Sequence, residues 1–357
     1  MNTAHIPKVS IVMTAYNSSK FIGKTIESLL KQTLGDFELI IVDDCSKDNT
    51  VEIIGSFADP RIRLVPNREN QGISRSRNIG LDLARGVYIA MSDHDDISLP
   101  TRLEKQVAFL DAHADHIMVA ANSILQTGQS QTLPEAVTNP YLLHWTLFYR
   151  CPLVHSAICV RRDAMEQAGI RYDSTYAYSE DYEIYHQLGR AGKLGMLEEP
   201  LVIYLIHAQN TTHSVLDAMG RHGLAFICEQ YRDYLGFADR DDDVALVWNL
   251  CNQNIPSGDI NELRRLGEFL VEACQRFSDI QRLEETERAL LLRDTAETWW
   301  RVVRMSAEKT GQPSLLSALR KLHPPELEPV DRTGFGRSYF LAFARRLTQK
   351  LNLRKSG

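Results

Sequence analysis

Three carboxylates fall within four residues at Asp93-His94-Asp95-Asp96. At that density they repel one another unless a cation sits among them. Hard oxygen ligands suit Mg²⁺ or Mn²⁺, which take further ligands from water and substrate phosphates. The competing reading is an acidic loop that complements the N-terminus of the next helix. A second acidic pair, Asp43-Asp44, closes an apolar run. Asp48 and Asn49 just beyond it fit a turn and a helix cap. Two adjacent acids at a strand exit also suit hydrogen-bond acceptance from a base or a ribose. The polar segment Asn70-Gln71-Gly72-Ile73-Ser74-Arg75-Ser76-Arg77-Asn78-Ile79-Gly80 carries two glycines at a helix start. Gly72 and the helix N-terminus can approach phosphate there, with Arg75 or Arg77 supplying charge; solvated arginines on a capped helix are the plainer reading. Ser179-Glu180-Asp181 opens another helix, where Ser179 can cap and the acids can complement the dipole. His207 and His155 each stand alone beside a strand-like run, and a lone histidine is more often structural than a ligand.

These residues are placed by alternating strand and helix signals. Val9 to Met13 is a short, mostly apolar run suited to a buried parallel strand. Residues 19–33 put Phe21, Ile22, Ile26, Leu29 and Leu30 on one helical face. Strands are expected at 37–42, 62–65, 87–91 and 117–121, and helices near 51–57, 72–85 and 100–112. That alternation predicts an α/β fold with a doubly wound, mostly parallel sheet. Ligands of such sheets bind beyond the carboxyl ends of the strands, so Thr14-Ala15-Tyr16-Asn17, Asp43-Asp44 and Asp93 to Asp96 are expected on one rim. Between 122 and 212 the pattern is mixed, with helical pieces near 140–149 and 179–190 and strand-like runs at 156–160 and 200–206. Beyond 213 the strand signals stop, and 214–235, 243–253, 260–276 and 281–308 read as helices. The expected division is residues 1–212 and a helical C-terminal region, 213–357.

Composition narrows the class. A formal net charge of -6 argues against a general nucleic-acid binder. The six cysteines include no CxxC pair, so neither a zinc site nor a disulfide framework follows from them. No apolar leader and no run of 18 apolar residues is visible, which makes a cytoplasmic location the default expectation. No P-loop and no GxGxxG occurs.

Taken as an ordered series, residues 7 to about 212 resemble the family 2 glycosyltransferases, which have the GT-A fold. The series is Pro7-Lys8-Val9-Ser10-Ile11-Val12-Met13-Thr14-Ala15-Tyr16-Asn17, Gln32-Thr33, Phe37 to Ser46 with its Asp43-Asp44, Asn70-Gln71-Gly72, Ser76 to Gly80, Asp93 to Asp96, Pro100 with Arg102-Leu103, and Glu180-Asp181. The resemblance implies an inverting transfer of a single sugar from a nucleotide-sugar donor, usually UDP-linked, to a hydroxyl of a glycan or lipid-linked acceptor. It implies Thr14, Tyr16 and Asn17 at the base and ribose, Asp44 accepting from the base with Asp43 nearby, and Arg77 at the nucleotide end. It implies Asp93 at ribose or metal water, Asp95 as ligand of Mn²⁺ or Mg²⁺, Asp181 as general base, and a donor contact for His207. The chain departs from the pattern at Cys45, where relatives often have glycine or asparagine, and at Leu205, where they often have arginine. Trp299-Trp300-Arg301 has the wrong order for the QxxRW signature of processive synthases, which favours transfer of one sugar.

In the C-terminal region, Arg337, Arg345, Arg346, Lys350, Arg354 and Lys355 alternate with Tyr339, Phe340, Leu341, Phe343, Leu347, Leu351 and Leu353. A basic amphipathic helix over 335–355 suits peripheral contact with the inner face of a cell membrane, or packing on this chain, another copy or a partner. Two other classes of function remain in view. One is a catalytically silent nucleotide-sugar-binding or scaffold protein. The other, a nucleotidyltransferase, would need a glycine-rich loop after the first strand, and Thr14-Ala15-Tyr16-Asn17 is not one.

Overall fold

The computed structural model describes residues 5–210, 216–329 and 337–346, the first four residues of the 216–233 helix by backbone only. Its elements begin with β1 (Val9–Ala15), α1 (Ile22–Leu30), β2 (Phe37–Asp43), α2 (Thr50–Gly55), β3 (Ile62–Pro66), α3 (Ile73–Leu83) and β4 (Tyr88–Asp93). There follow β5 (Ile97–Ser98), α4 (Arg102–Ala112), β6 (His116–Thr127), β7 (Ser130–Thr132), α5 (Pro140–Thr146), β8 (Ile158–Arg161), α6 (Arg162–Gln167), α7 (Glu180–Ala191) and β9 (Lys193–Ile206). The sheet runs in the order β3-β2-β1-β4-β8-β6-β9-β5, with β7 paired to β6.

β1 to β4 are mutually parallel, and β8 enters antiparallel between β4 and β6. β6 and β9 are parallel again, and short β5 closes antiparallel on β9. The sheet is therefore mostly parallel, with helices supplying the crossovers. Both faces of β1 and β2 are covered, and every residue of these strands is buried. That is why Leu39-Ile40-Ile41-Val42 is a continuous apolar run in place of an alternating one. Gly80 lets α3 approach β1: a Cβ there would stand 2.4 Å from Val12 Cγ1.

Several residues of the family series act as clamps. The Gln32 amide donates to Leu99 O (2.8 Å) and accepts from Leu103 N (3.0 Å), while Thr33 N donates to Pro100 O (2.9 Å). The end of α1 is thereby fastened to the segment that leads into α4. Arg102 is fully buried, donating to Met91 O, Ile158 O, the Ser98 hydroxyl and Gln106 Oε1. Burial pushes this guanidinium down to about 10.

The chain separates into two compact units. One comprises residues up to His144 with Pro152–Gly223, and the other Trp145–Cys151 with residues from Leu224 onward. The second unit is helical: α8 (Leu216–Asp233) from Leu224 onward, α9 (Asp241–Val247), α10 (Ile260–Ile280), α11 (Glu285–Thr310) and α12 (Ser314–Leu322), with a π-helical turn at Trp248–Asn252. Its core holds Phe277 against Trp145 and Phe148, ring centroids 5.6 and 5.7 Å away. The indoles there reach partners: Trp145 Nε1 donates to Thr295 Oγ1 (3.0 Å), Trp299 Nε1 to Leu263 O (2.7 Å) and Trp300 Nε1 to Leu327 O (2.8 Å). Residues 337–346 are helical, while Leu347, Lys350, Leu351, Leu353, Arg354 and Lys355 lie outside the described residues. No described helix is long and apolar enough to cross a membrane.

Candidate active site

Strand register sets the rim. Thr14 lies level with Val42 on one side and Asp93 on the other, and Ala15 lies level with Asp43. Thr14, Asp43 and Asp93 therefore leave three neighbouring parallel strands at one height. Asp44 stays with them because its N–H donates to Ala15 O (2.8 Å). Asn17 sits at φ 49°, in the left-handed region that Asn tolerates. Its N–H donates to Ser46 Oγ (2.9 Å) and its side-chain oxygen accepts from Lys47 N (2.8 Å), tying the loop after β1 to the loop after β2. Tyr16 beside it is exposed and Thr14 is buried.

The two acids after β2 have different surroundings. Asp44 accepts from Gln71 N (2.8 Å), Gly72 N (2.9 Å) and Asn67 Nδ2 (2.8 Å). It folds the loop ahead of α3 back onto the rim, and Gly72 at φ 84° makes the turn. Asp43 accepts from Ser46 N (3.1 Å) through Oδ2, and its buried Oδ1 has no partner among the described residues.

α3 carries the link to the remaining acids. Arg77 is buried, donating to Asp93 Oδ1 (3.2 Å) and to Glu180 Oε1 (2.9 Å). Its neighbour Asn78 holds the Tyr172 backbone at both ends, donating to Tyr172 O (2.8 Å) and accepting from Tyr172 N (3.1 Å). Arg75 is exposed. Asp181 follows Glu180 in the first turn of α7. Burial and then the charge of Glu180 push the Asp181 carboxyl up to about 6, against the opposing pull of Arg77. Burial also acts on Asp93, but the Arg77 guanidinium holds that carboxyl below its ordinary value. Two acids near one guanidinium are thus tuned in opposite directions.

The end of β9 closes the site. Asp96 is buried, accepting from Leu205 N (3.0 Å) and from the Ser156 hydroxyl, so it anchors the acidic loop. This brings His207 to Asp95, Nε2 to Oδ2 at 3.0 Å, with Asn210 Nδ2 3.3 Å from the same oxygen. Gln209 N donates to His207 Nδ1 (3.2 Å), so in the neutral ring Nε2 carries the proton toward Asp95. Phe21 stacks on the imidazole with centroids 4.1 Å apart. Among the described residues the ion-pair partners of Asp95 are His94 and His207, while the guanidinium is given to Asp93. His155 is held between the Tyr185 and Tyr172 hydroxyls (3.1 and 2.9 Å), and burial pushes it down to about 3. It is a neutral structural group beneath the acidic loop.

Sequence reasoning does not single out Asn67, Asn78, Asn210 or the bridging oxygen of Glu180. Of these, Asn78, within Ser76 to Gly80, and Glu180, adjacent to Asp181, carry a signal through the family series.

Residues 10–167 match the family model described as Glycosyl transferase family 2. An uncharacterized glycosyltransferase of Haemophilus influenzae is 32% identical over 58% of this chain and 68% of its own length. The succinoglycan biosynthesis protein ExoO of Rhizobium meliloti is 30% identical over 57% of this chain and 61% of its own length. Among solved structures, TarS residues 1–349 of S. aureus in complex with UDP-GlcNAc matches with TM-score 0.56 at 17% identity, covering 85% of this chain and 91% of that one. The chain belongs to glycosyl transferase family 2 and has the GT-A fold. It is a glycosyltransferase.

Proposed function

We propose that this protein moves a single sugar, with inversion, from a UDP-linked donor to a hydroxyl of a glycan or lipid-linked acceptor. The observation that carries this reading is the Asp93–Arg77–Glu180 bridge, which ties the start of α7, and with it Asp181, to the strand rim that bears Asp43, Asp44, Asp93 and Asp95. TarS bound to UDP-GlcNAc and the glycan-forming role in the name of ExoO support the donor and acceptor classes.

A sugar hydroxyl is a poor nucleophile, so a positioned carboxylate must take its proton as it attacks. Asp181 fits that role: raised to about 6, it is ionised at neutral pH yet more basic than an ordinary aspartate. One displacement without a covalent intermediate inverts the anomeric carbon. Thr14, Tyr16, Asn17 and Asp43 line the nucleotide end. Asp44 already accepts three N–H groups, which leaves about one lone-pair site for a base N–H. Arg77, enclosed by two acids, serves by holding Asp93 and the start of α7.

The donor set at Asp95 fits a divalent cation, Mn²⁺ or Mg²⁺: a carboxylate faces an imidazole and has no guanidinium or ammonium partner among the described residues. Among the described residues no three His, Cys, Asp or Glu side chains gather as ligands. Asp95 would hold the cation, with Asp93 nearby, and water and diphosphate oxygens would complete its shell, while the His207 ring orients the Asp95 carboxylate. When bound it would neutralise charge on the departing diphosphate.

The test is UDP release from UDP-sugars with Mn²⁺ and a panel of acceptors, comparing Asp181→Asn and Asp95→Ala with the parent. Loss of turnover in both, with UDP binding retained in Asp181→Asn, is expected. Undiminished turnover in both removes the assignment.

A further inference from the structure

The helix at 337–346 has inverted burial. Ser338 and Ala342, four residues apart and so on one face, are its buried positions. Its large side chains are outside: Tyr339 is 49% exposed, Phe340 68%, Leu341 40% and Phe343 48%. Arg337, Arg345 and Arg346 are exposed among them. A helix stabilised only by packing on its own chain turns its large apolar residues inward. Here small residues make the internal contact, and aromatic and aliphatic groups form an outward patch edged by guanidinium groups. The surrounding sequence is one-signed. Residues 332–357 contain seven Lys or Arg and no Asp or Glu, in a chain whose formal net charge is -6.

We propose that the 337–346 helix docks this protein on an anionic lipid surface. Tyr339, Phe340, Leu341 and Phe343 enter the boundary between headgroups and acyl chains, and Arg337, Arg345 and Arg346 meet lipid phosphates. Charge and apolarity on one short helix are the two attractions that interfacial binding combines. The same charge disfavours a second copy as occupant, because two acid-free basic segments repel. The proposal uses no residue of the catalytic reading and stands apart from it.

The experiment is co-sedimentation of the full chain with vesicles of phosphatidylcholine alone or mixed with phosphatidylglycerol, at low and high salt. Sedimentation with the phosphatidylglycerol vesicles, reversed as salt rises, is expected. Phe340→Ser/Phe343→Ser and Arg345→Glu/Arg346→Glu should each lower partitioning by at least about tenfold. These side chains are exposed, so circular dichroism and UDP release should match the parent. Failure to sediment with phosphatidylglycerol vesicles, or equal sedimentation with both compositions, overturns the proposal. So does a concentration-dependent dimer that Phe340→Ser/Phe343→Ser abolishes and lipid does not compete away.

Discussion

Arg77 is the residue on which the proposed chemistry turns. Removing it as Arg77→Met leaves Asp93 and Glu180 buried without their cation, a change that costs about 3–5 kcal/mol at such sites. Urea unfolding should register that loss, and adding Glu180→Gln should recover part of it. Asp181 makes the opposite prediction. Its carboxyl binds a proton more tightly in the fold, at about 6, than in the unfolded chain, near 3.8. The folded state thus holds the extra proton between those values, and stability falls as pH rises through that window and stays lower above it. Asp181→Asn removes the penalty and should stabilise the fold at pH 7–8 by on the order of 2–3 kcal/mol, while turnover drops by about 10²–10⁴. In the parent, turnover should decline as pH falls through about 6, where the base becomes protonated.

At the scale of elements, α3 is the part that joins the halves of the site. Its Ser76, Arg77 and Asn78 reach Asn67, two acids and the Tyr172 backbone. It can do so because Gly80 lets it lie close on β1. Gly80→Ala should push α3 outward and cost about 1–3 kcal/mol by overpacking; Gly80→Ala/Val12→Ala should lose less than the sum of the two single changes, as measured by urea unfolding. β1, β2 and β4 are legible in the sequence because buried parallel strands are continuous apolar runs, and β2 and β4 announce their ends with acids. β6 and β9 are longer than their apolar signals at 117–121 and 200–206, running His116–Thr127 and Lys193–Ile206. The additional stretches are polar at Asn122-Ser123 and interrupted by Glu198-Glu199-Pro200, where the pairing shifts register. The expected helices at 100–112 and 140–149 are Arg102–Ala112 and Pro140–Thr146. The Asn78 clamp is illegible for another reason: a side chain bonding a backbone 94 residues along the chain leaves no period in the sequence.

For the whole molecule, Trp145–Cys151 belongs with the helical unit although both sequence neighbours belong to the sheet unit. No composition shift marks so short an exchange, and a division at 212/213 passes over it. A chain ending at residue 223 should express with a low soluble fraction, because Trp145, Phe148 and Tyr149 lose Phe277, Thr295 and Asp294. Replacing those three aromatics by Ser should raise that fraction. The same exchange has a temporal side. Trp145 and Thr295 stand 150 residues apart, which a ribosome adding about 5–20 residues per second covers in about 8–30 s. Until that interval ends every nascent copy carries a seven-residue segment with three aromatics whose set of partners is incomplete, Tyr231 and Phe277 arriving before Asp294 and Thr295, a window in which a holding chaperone has a defined target.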